Sequence, residues 1–295
     1  MSATPEQSQP LKAALWMLGA IISFSSMAVA GRAVAVELDT FELMMYRSFI
    51  GIALVLSFAT VFGTLKDIRA EKLGLHLGRN ISHFAGQNLW FAALTLIPLA
   101  QVVALEFTMP IWLMLLAPIF LSERLNARRI IVAIVGFGGA MIVARPDFSN
   151  IEPGILLAAG AAIGFAGSAI FTKILTRTQK ITSILFWLVV MQAALGVITA
   201  GWDGEVAIPS SAIIGWVGLV SVAGLAAHFC LTSALQLAPA TVVIPCDFAR
   251  LPVVAMIGVV LYSEPLEWQV ILGACIIFWA NYLNILAESR AVKVS

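Results

Sequence analysis

Ala93-Leu94-Thr95-Leu96-Ile97-Pro98 falls on Ala234-Leu235-Gln236-Leu237-Ala238-Pro239 when the chain is slid along itself by 141 residues. At the same offset Ser122-Glu123-Arg124-Leu125 falls on Ser263-Glu264-Pro265-Leu266. Nine of the 33 residues from 93 to 125 match their partners without a gap. Helix composition alone matches many Leu, Ala and Val. It does not readily match Pro98 and Glu123 at one offset. Between them Glu106 falls on Asp247, an acid on an acid in apolar surroundings. Internal duplication in a membrane chain points to a carrier built from repeats.

The membrane assignment rests on composition. Of 295 residues, 61% are hydrophobic and 11% charged, against about 25% charged in soluble domains. Mean hydropathy is +0.99. These values describe an all-α integral membrane protein. The net charge of +1 forms no basic patch, and no nucleic-acid partner is expected. Cys230, Cys246 and Cys275 stand in apolar runs and read as small core residues. Lys12 precedes an apolar run from Ala13 to Ala30, read as a retained span because more runs of spanning length follow.

A spanning helix needs roughly 20 apolar residues. Hydropathy and breakers give ten, at 11–30, 41–63, 75–96, 99–121, 128–145, 153–173, 181–201, 210–236, 239–262 and 267–287. Only the Ile97-Pro98 and Ala238-Pro239 turns divide two otherwise over-long runs. Ten spans leave both termini on one side. If that side is the cytoplasm, 13 Lys and Arg, Arg79 among them, lie inside and only Arg32 and Arg145 outside. The positive-inside rule then places both termini in the cytoplasm.

Five spans per copy is an odd number, so the second copy enters the membrane inverted. Loop charges reverse accordingly. Arg124, Arg128 and Arg129 follow Glu123, whereas Glu267 and no base follow Glu264. Lys66, Arg69 and Lys72 match a segment holding Asp203 and Glu205. The expected organisation is ten transmembrane helices in two inverted five-helix repeats, residues 1–148 and 149–295.

Ionisable groups at the bilayer centre cost about 2.5–3.5 kcal/mol each on insertion scales. Arg47, Glu106, Asp247 and Arg250 should therefore face the bundle interior. At 1.5 Å per residue, Arg47 and Glu106 lie about 10 Å from the outer face and Asp247 about 12 Å from the inner face. Arg250 is one turn deeper and shares a helix face with Asp247. Two readings stand: an ionic site for a zwitterion or a coupling proton on Glu106 and Asp247, or two structural pairs, Arg47–Glu106 and Asp247–Arg250. His83, Gln87 and Trp90 share a face of span three, and His228, Thr232 and Gln236 one of span eight. These read as polar stripes facing a cavity, and His76 reads as interfacial. Trp90, Trp112 and Trp187 lie deep enough to line a pocket or to face lipid. Pro110, Pro118, Pro245 and Pro252 should kink spans four and nine and free carbonyls toward a cavity. The glycines at 136, 138, 139, 160, 164, 167 and 273 read as packing positions. No P-loop, GxSxG or HExxH motif occurs, and no His pair has metal-site spacing on one helix. Neither an enzyme nor a metal or other cofactor is expected.

These residues resemble the drug/metabolite transporter superfamily, specifically its ten-span EamA-type carriers. The resemblance is carried by Pro110…Ser122-Glu123-Arg124-Leu125…Gly136 and its second copy Pro252…Ser263-Glu264-Pro265-Leu266…Gly273. Tyr46-Arg47 and Asp247-Phe248-Ala249-Arg250-Leu251-Pro252 add to it. It implies a multi-pass inner-membrane carrier whose cavity is ringed by spans one to four and six to nine, with spans five and ten outside. Family activities include metabolite and amino-acid export, among them aromatic amino-acid exporters of the YddG type. Leu188 stands where the second copy would need the equivalent of Arg47, so the halves differ chemically. The expected function is secondary export of small zwitterionic metabolites, amino acids foremost, by alternating access. Uptake of another metabolite, such as S-adenosylmethionine or a nucleobase, is the alternative; an intramembrane enzyme or a channel is more distant. The bilayer and a small-molecule substrate are the expected partners, and a homodimer stays open. The expected binding residues are Arg47, His83, Gln87, Trp90, Glu106, Trp187, His228, Asp247 and Arg250.

Overall fold

The computed structural model describes residues 9–121, 127–144, 152–202, 204–263 and 267–294. Glu123, Arg124, Arg145, Asp203, Glu264 and Pro265 lie outside the described residues. Within the described residues all regular structure is helical. The helices are α1 (Pro10–Val34), α2 (Thr40–Val61), α3 (Leu73–Leu96), α4 (Leu99–Glu106), α5 (Met109–Phe120) and α6 (Ala127–Ala144). They continue as α7 (Pro153–Thr176), α8 (Ile181–Ala200), α9 (Ile214–Leu237), α10 (Ala240–Cys246), α11 (Arg250–Tyr262) and α12 (Trp268–Val294).

Local sequence explains the boundaries. Asp39 and Glu42 close a reciprocal capping box at the start of α2, satisfying two of its orphan amides. Proline opens α1 and α7, where a missing N–H costs nothing. Ile97 and Ala238 are extended, and Pro98 and Pro239 cap the next helices with nearly the same backbone angles, as the repeat requires. Spans four and nine are each interrupted. Pro110, at the start of α5, has no N–H to return to the Glu106 carbonyl four residues back, and the helix stops at Glu106. A 3-10 turn, Asp247–Ala249, separates α10 from α11. Pro118 sits inside α5 without breaking it.

Seven stretches among the described residues are long and apolar enough to cross a membrane, counting Leu99–Phe120 and Ala240–Tyr262 across their breaks. Apolar stretches at Ile130–Val143 and Trp268–Ala280 are shorter. The helix α3 is diluted by His76, Arg79, Asn80, His83, Gln87 and Asn88, all buried. Its polar face is turned inward, which hydropathy averaged along the chain does not register.

Packing follows the 141-residue equivalence. The pair α1–α9 has its counterpart in α7–α3, and both pairs are extensive. The equivalent helices α2 and α8 pack antiparallel, Gly51 against Val189 and Gly196 against Met45. So do α6 and α12, Gly139 against Ile277 and Gly273 against Val143. Phe107 and Phe248, equivalents again, meet edge to face with centroids 4.7 Å apart. Arg32 donates from Nε to the Leu94 carbonyl at 3.1 Å and from Nη2 to the Ile97 carbonyl at 3.1 Å. Lys173 donates to the Leu235 and Ala238 carbonyls in the second copy. All three positions shift by 141.

In lipid, helices gain little from burying apolar surface against one another; close packing has to hold them. A Cβ added at Gly164 would sit 2.8 Å from Gly86 Cα and from the Ser82 carbonyl, both backbone atoms that cannot step aside. One added at Gly138 meets nothing within 4 Å, so this glycine is not a packing position as the sequence suggested. Gly164→Val is expected to cost about 1–3 kcal/mol by overpacking and to lower the melting temperature of the detergent-purified protein by several degrees. Gly138→Ala should melt with the unaltered protein. Equal melting of both variants would contradict the α3–α7 contact.

Candidate functional site

A cavity lies among α1, α3, α4, α5, α7, α9, α10 and α11. The helices α2, α6, α8 and α12 contribute no lining residue. The family ring is thus reduced, because spans two and seven stand behind the wall. The cavity holds about 60 Å³ of water-accessible space, room for about four waters.

Its chemistry concentrates where spans four and nine break. Arg250 Nη2 lies 2.6 Å from Glu106 Oε1 and 2.7 Å from Asp247 Oδ2. The acids come from the two halves, and both sit at a helix interruption that carries them inward. Trp90 Nε1 donates to Glu106 Oε2 at 2.8 Å. The guanidinium lies between the Phe24 and Phe107 rings, its carbon 5.2 Å and 5.7 Å from their centroids. Both rings lie within cation–π range of the guanidinium.

The stripe on α3 lines the cavity from end to end. Arg79, His83, Gln87 and Trp90 all face it, over about 16 Å of helix axis. His228 on α9 meets His83 edge to face, centroids 4.6 Å apart. Gln87 Oε1 accepts from Arg47 Nη1 at 2.7 Å. Arg47 lies behind this bond in a smaller pocket shared with Leu188, its equivalent in the second copy, and with Gln192 and Ser221. Gly224 leaves room for its guanidinium: a Cβ there would sit 2.7 Å from Nη2.

Eight of the nine expected residues therefore gather here, Arg47 through Gln87. Trp187 does not. Its indole N–H donates to the Arg69 carbonyl at 2.8 Å, and the ring, partly exposed, lies against His76 with centroids 6.2 Å apart. Trp112 is likewise exposed at 37%. The proposed pair Arg47–Glu106 is not formed: Glu106 is taken by Arg250 and Trp90, and Arg47 by Gln87. The two groups have similar depth but point to different sides of the bundle. Asp247–Arg250 is formed, with Glu106 as a third member. His76, near the start of α3, is buried within the protein. Cys246 is buried, but Cys275 is exposed and not a core residue.

One site residue escaped the sequence. Arg79, assigned to the inner loops by the charge count, is 1% exposed and lines the cavity. Its Nε donates to Thr172 Oγ1 at 2.7 Å, and Thr172 in turn donates to the Ser168 carbonyl at 2.7 Å. The available signal was its spacing of four from His83 on the same face.

A family model described as the EamA-like transporter family matches residues 11–145 and again 152–286. The chain is 26% identical over 280 residues to a protein named S-adenosylmethionine uptake transporter from Rickettsia felis, covering 94% of each. It is 31% identical over 236 residues to a riboflavin transporter from Brucella anthropi, covering 78% of this chain and 83% of that one. A riboflavin transporter from Rhizobium johnstonii is 28% identical over 294 residues, covering 98% and 96%. A solved crystal structure superposes with a TM-score of 0.74 at 18% identity, covering 95% of this chain and 98% of that one. With both halves matched, the chain is a multi-pass membrane protein that belongs to the EamA-like transporter family.

Proposed function

We propose that the protein is a secondary carrier of small zwitterionic metabolites bearing an amino-acid group, working by alternating access across a bacterial inner membrane. The observation that carries this reading is the shared guanidinium. Arg250 is held by one carboxylate from each half, in the wall of the cavity, at the two points where the helices are broken. Such a joint holds the halves together while empty and loosens when a charged solute competes for its members. The cluster carries two acids and one base, so its net charge of −1 favours a substrate cation. The antiparallel packing of the equivalents α2 and α8 supports an inverted repeat. Ten spans follow if α3, α6 and α12 also cross. The positive-inside count supports cytoplasmic termini.

Export of free amino acids is the reading the sequence favours. A specific observation favours a second one, uptake of S-adenosylmethionine. The similarity to proteins named for that activity runs over 94% of both chains, and that metabolite carries the same amino-acid group. A competition panel in liposomes separates the two. Saturable counterflow of labelled L-methionine or S-adenosylmethionine is expected, and Asp247→Asn should reduce it at least tenfold in a protein that still purifies as a monodisperse species. Linear, unsaturable flux would fit a channel instead.

Proton coupling is part of the proposal. A proton on Glu106 removes one of the two charges that hold Arg250, loosening the joint as acidity rises. Glu106→Gln is expected to flatten the pH dependence of exchange between pH 5 and 8, leaving less than a twofold variation. A pH profile parallel to that of the unaltered protein removes Glu106 as the coupling group.

A further inference from the structure

The cavity has a second charged end that the Arg250 cluster does not use. Arg79 lies near the start of α3, about 16 Å along the axis from Trp90. No described carboxylate lies within ion-pair distance of it. Its Nε is fixed by Thr172, and its Nη1 has no hydrogen-bond partner although fully buried. The Nε2 atoms of His83 and His228, lining the same cavity, are also buried without partners. A buried guanidinium is stabilised by a planar oxyanion that takes two parallel N–H bonds. Thr172 fixes one edge of the guanidinium, and the free Nη1 belongs to the part that remains to be paired. Arg250 Nε is also buried without a partner, but its charge is already balanced by two acids on Nη2, whereas that of Arg79 meets none.

We infer that Arg79 is the carboxylate subsite of the cavity. The inference rests on the carrier reading and deepens it, because it specifies the shape of the substrate. An α-amino acid carries its two charges on one carbon, whereas Arg79 and Trp90 leave α3 about 16 Å apart along its axis. A solute that satisfies both ends is elongated, and it binds a form of the cavity wider than the one of about 60 Å³ present here. Its carboxylate is at Arg79, and its cationic or hydrogen-bonding end is at Trp90, Glu106 and Asp247.

The test is carboxylate-dependent stabilisation of the purified protein. S-adenosylmethionine and L-methionine are each compared with their carboxamides, by thermal melting in detergent across a concentration series. In the unaltered protein the acid of S-adenosylmethionine should bind at least tenfold more tightly than its amide. Arg79→Gln should bring the two within twofold. Thr172→Val, which frees the guanidinium edge without removing the charge, should reduce the acid's advantage several-fold; it keeps the test decisive if Arg79→Gln does not fold. L-Methionine should bind more weakly than S-adenosylmethionine by tenfold or more. Acid and amide binding alike in the unaltered protein, or an acid advantage that survives both substitutions, overturns the subsite. Counterflow in liposomes is read separately. A protein that discriminates acid from amide but does not exchange solute would overturn the carrier reading and leave the subsite standing.

Discussion

The architecture turns on one guanidinium shared by two carboxylates. Arg250 joins Glu106 of the first half to Asp247 of the second. A buried ion pair is a weak source of net stability, because desolvation offsets most of the attraction. Losing one member is different, since it leaves an uncompensated charge in lipid surroundings and costs about 3–5 kcal/mol. The cluster therefore contributes little by existing and much by not being broken. That asymmetry suits a joint that has to specify one arrangement yet yield to a competing charge. The breaks serve it. Continuous helices would present Glu106 and Asp247 only where the 3.6-residue period puts them. Interrupted ones turn both acids toward the same arginine.

Duplication supplies the frame and divergence supplies the site. Phe107 and Phe248 touch across the symmetric centre, and Arg32 and Lys173 close equivalent helix ends. The polar stripe of α3 has no chemical copy. At the 141-residue offset Arg79 becomes Val220, His83 becomes Gly224 and Trp90 becomes Leu231, while Arg250 corresponds to Met109. Gly224 shows how the two halves were fitted to each other. Where the first half carries a histidine, the second carries no side chain, and the vacated space receives Arg47. A symmetric cavity would offer the same charge at both ends. This one carries a negative cluster at Trp90, Glu106 and Asp247 and, at Arg79, a guanidinium that meets no described acid, an asymmetry that under the carrier reading would orient a dipolar solute.

Sequence reading located the boundaries at Pro98 and Pro239 because their causes are local. The capping box at Asp39 is as local but was not read, and the breaks after Glu106 and Cys246 were expected only as kinks. The stripe on α3 was legible by periodicity, and the acids by the repeat. What was missed is azimuthal. Arg47 and Glu106 have similar depths, but depth does not say which way a side chain points around the helix, and Gln87 took the place assigned to the acid. Trp187 failed for the same reason. Arg79 was counted with the loops because a basic residue six positions into a helix can usually extend its charge to the interface. Here Thr172, 93 residues away, holds the guanidinium inside, a fact carried by the α3–α7 contact and by no local pattern.

Under the carrier reading, the charges also bear on which state crosses the membrane. Among the groups that line the cavity and the pocket behind it, Arg47, Arg79 and Arg250 against Glu106 and Asp247 leave one positive charge in excess. With room for about four waters, the closed interior solvates that charge poorly. If closing forfeits even about 2.5 kcal/mol of solvation, the empty closed state is disfavoured about seventyfold. A bound carboxylate cancels the excess and removes the penalty. The solute then acts by differential binding to the closed form, which is the only way a ligand shifts a conformational equilibrium. Loaded carriers cross readily and empty ones slowly, and exchange outruns net flux. On this account Arg79 does more than hold the substrate. Arg79 and Arg47, the latter held only by neutral Gln87, are both without an acid among the described residues, and by this reading their excess charge makes an empty crossing costly and couples solute to conformation.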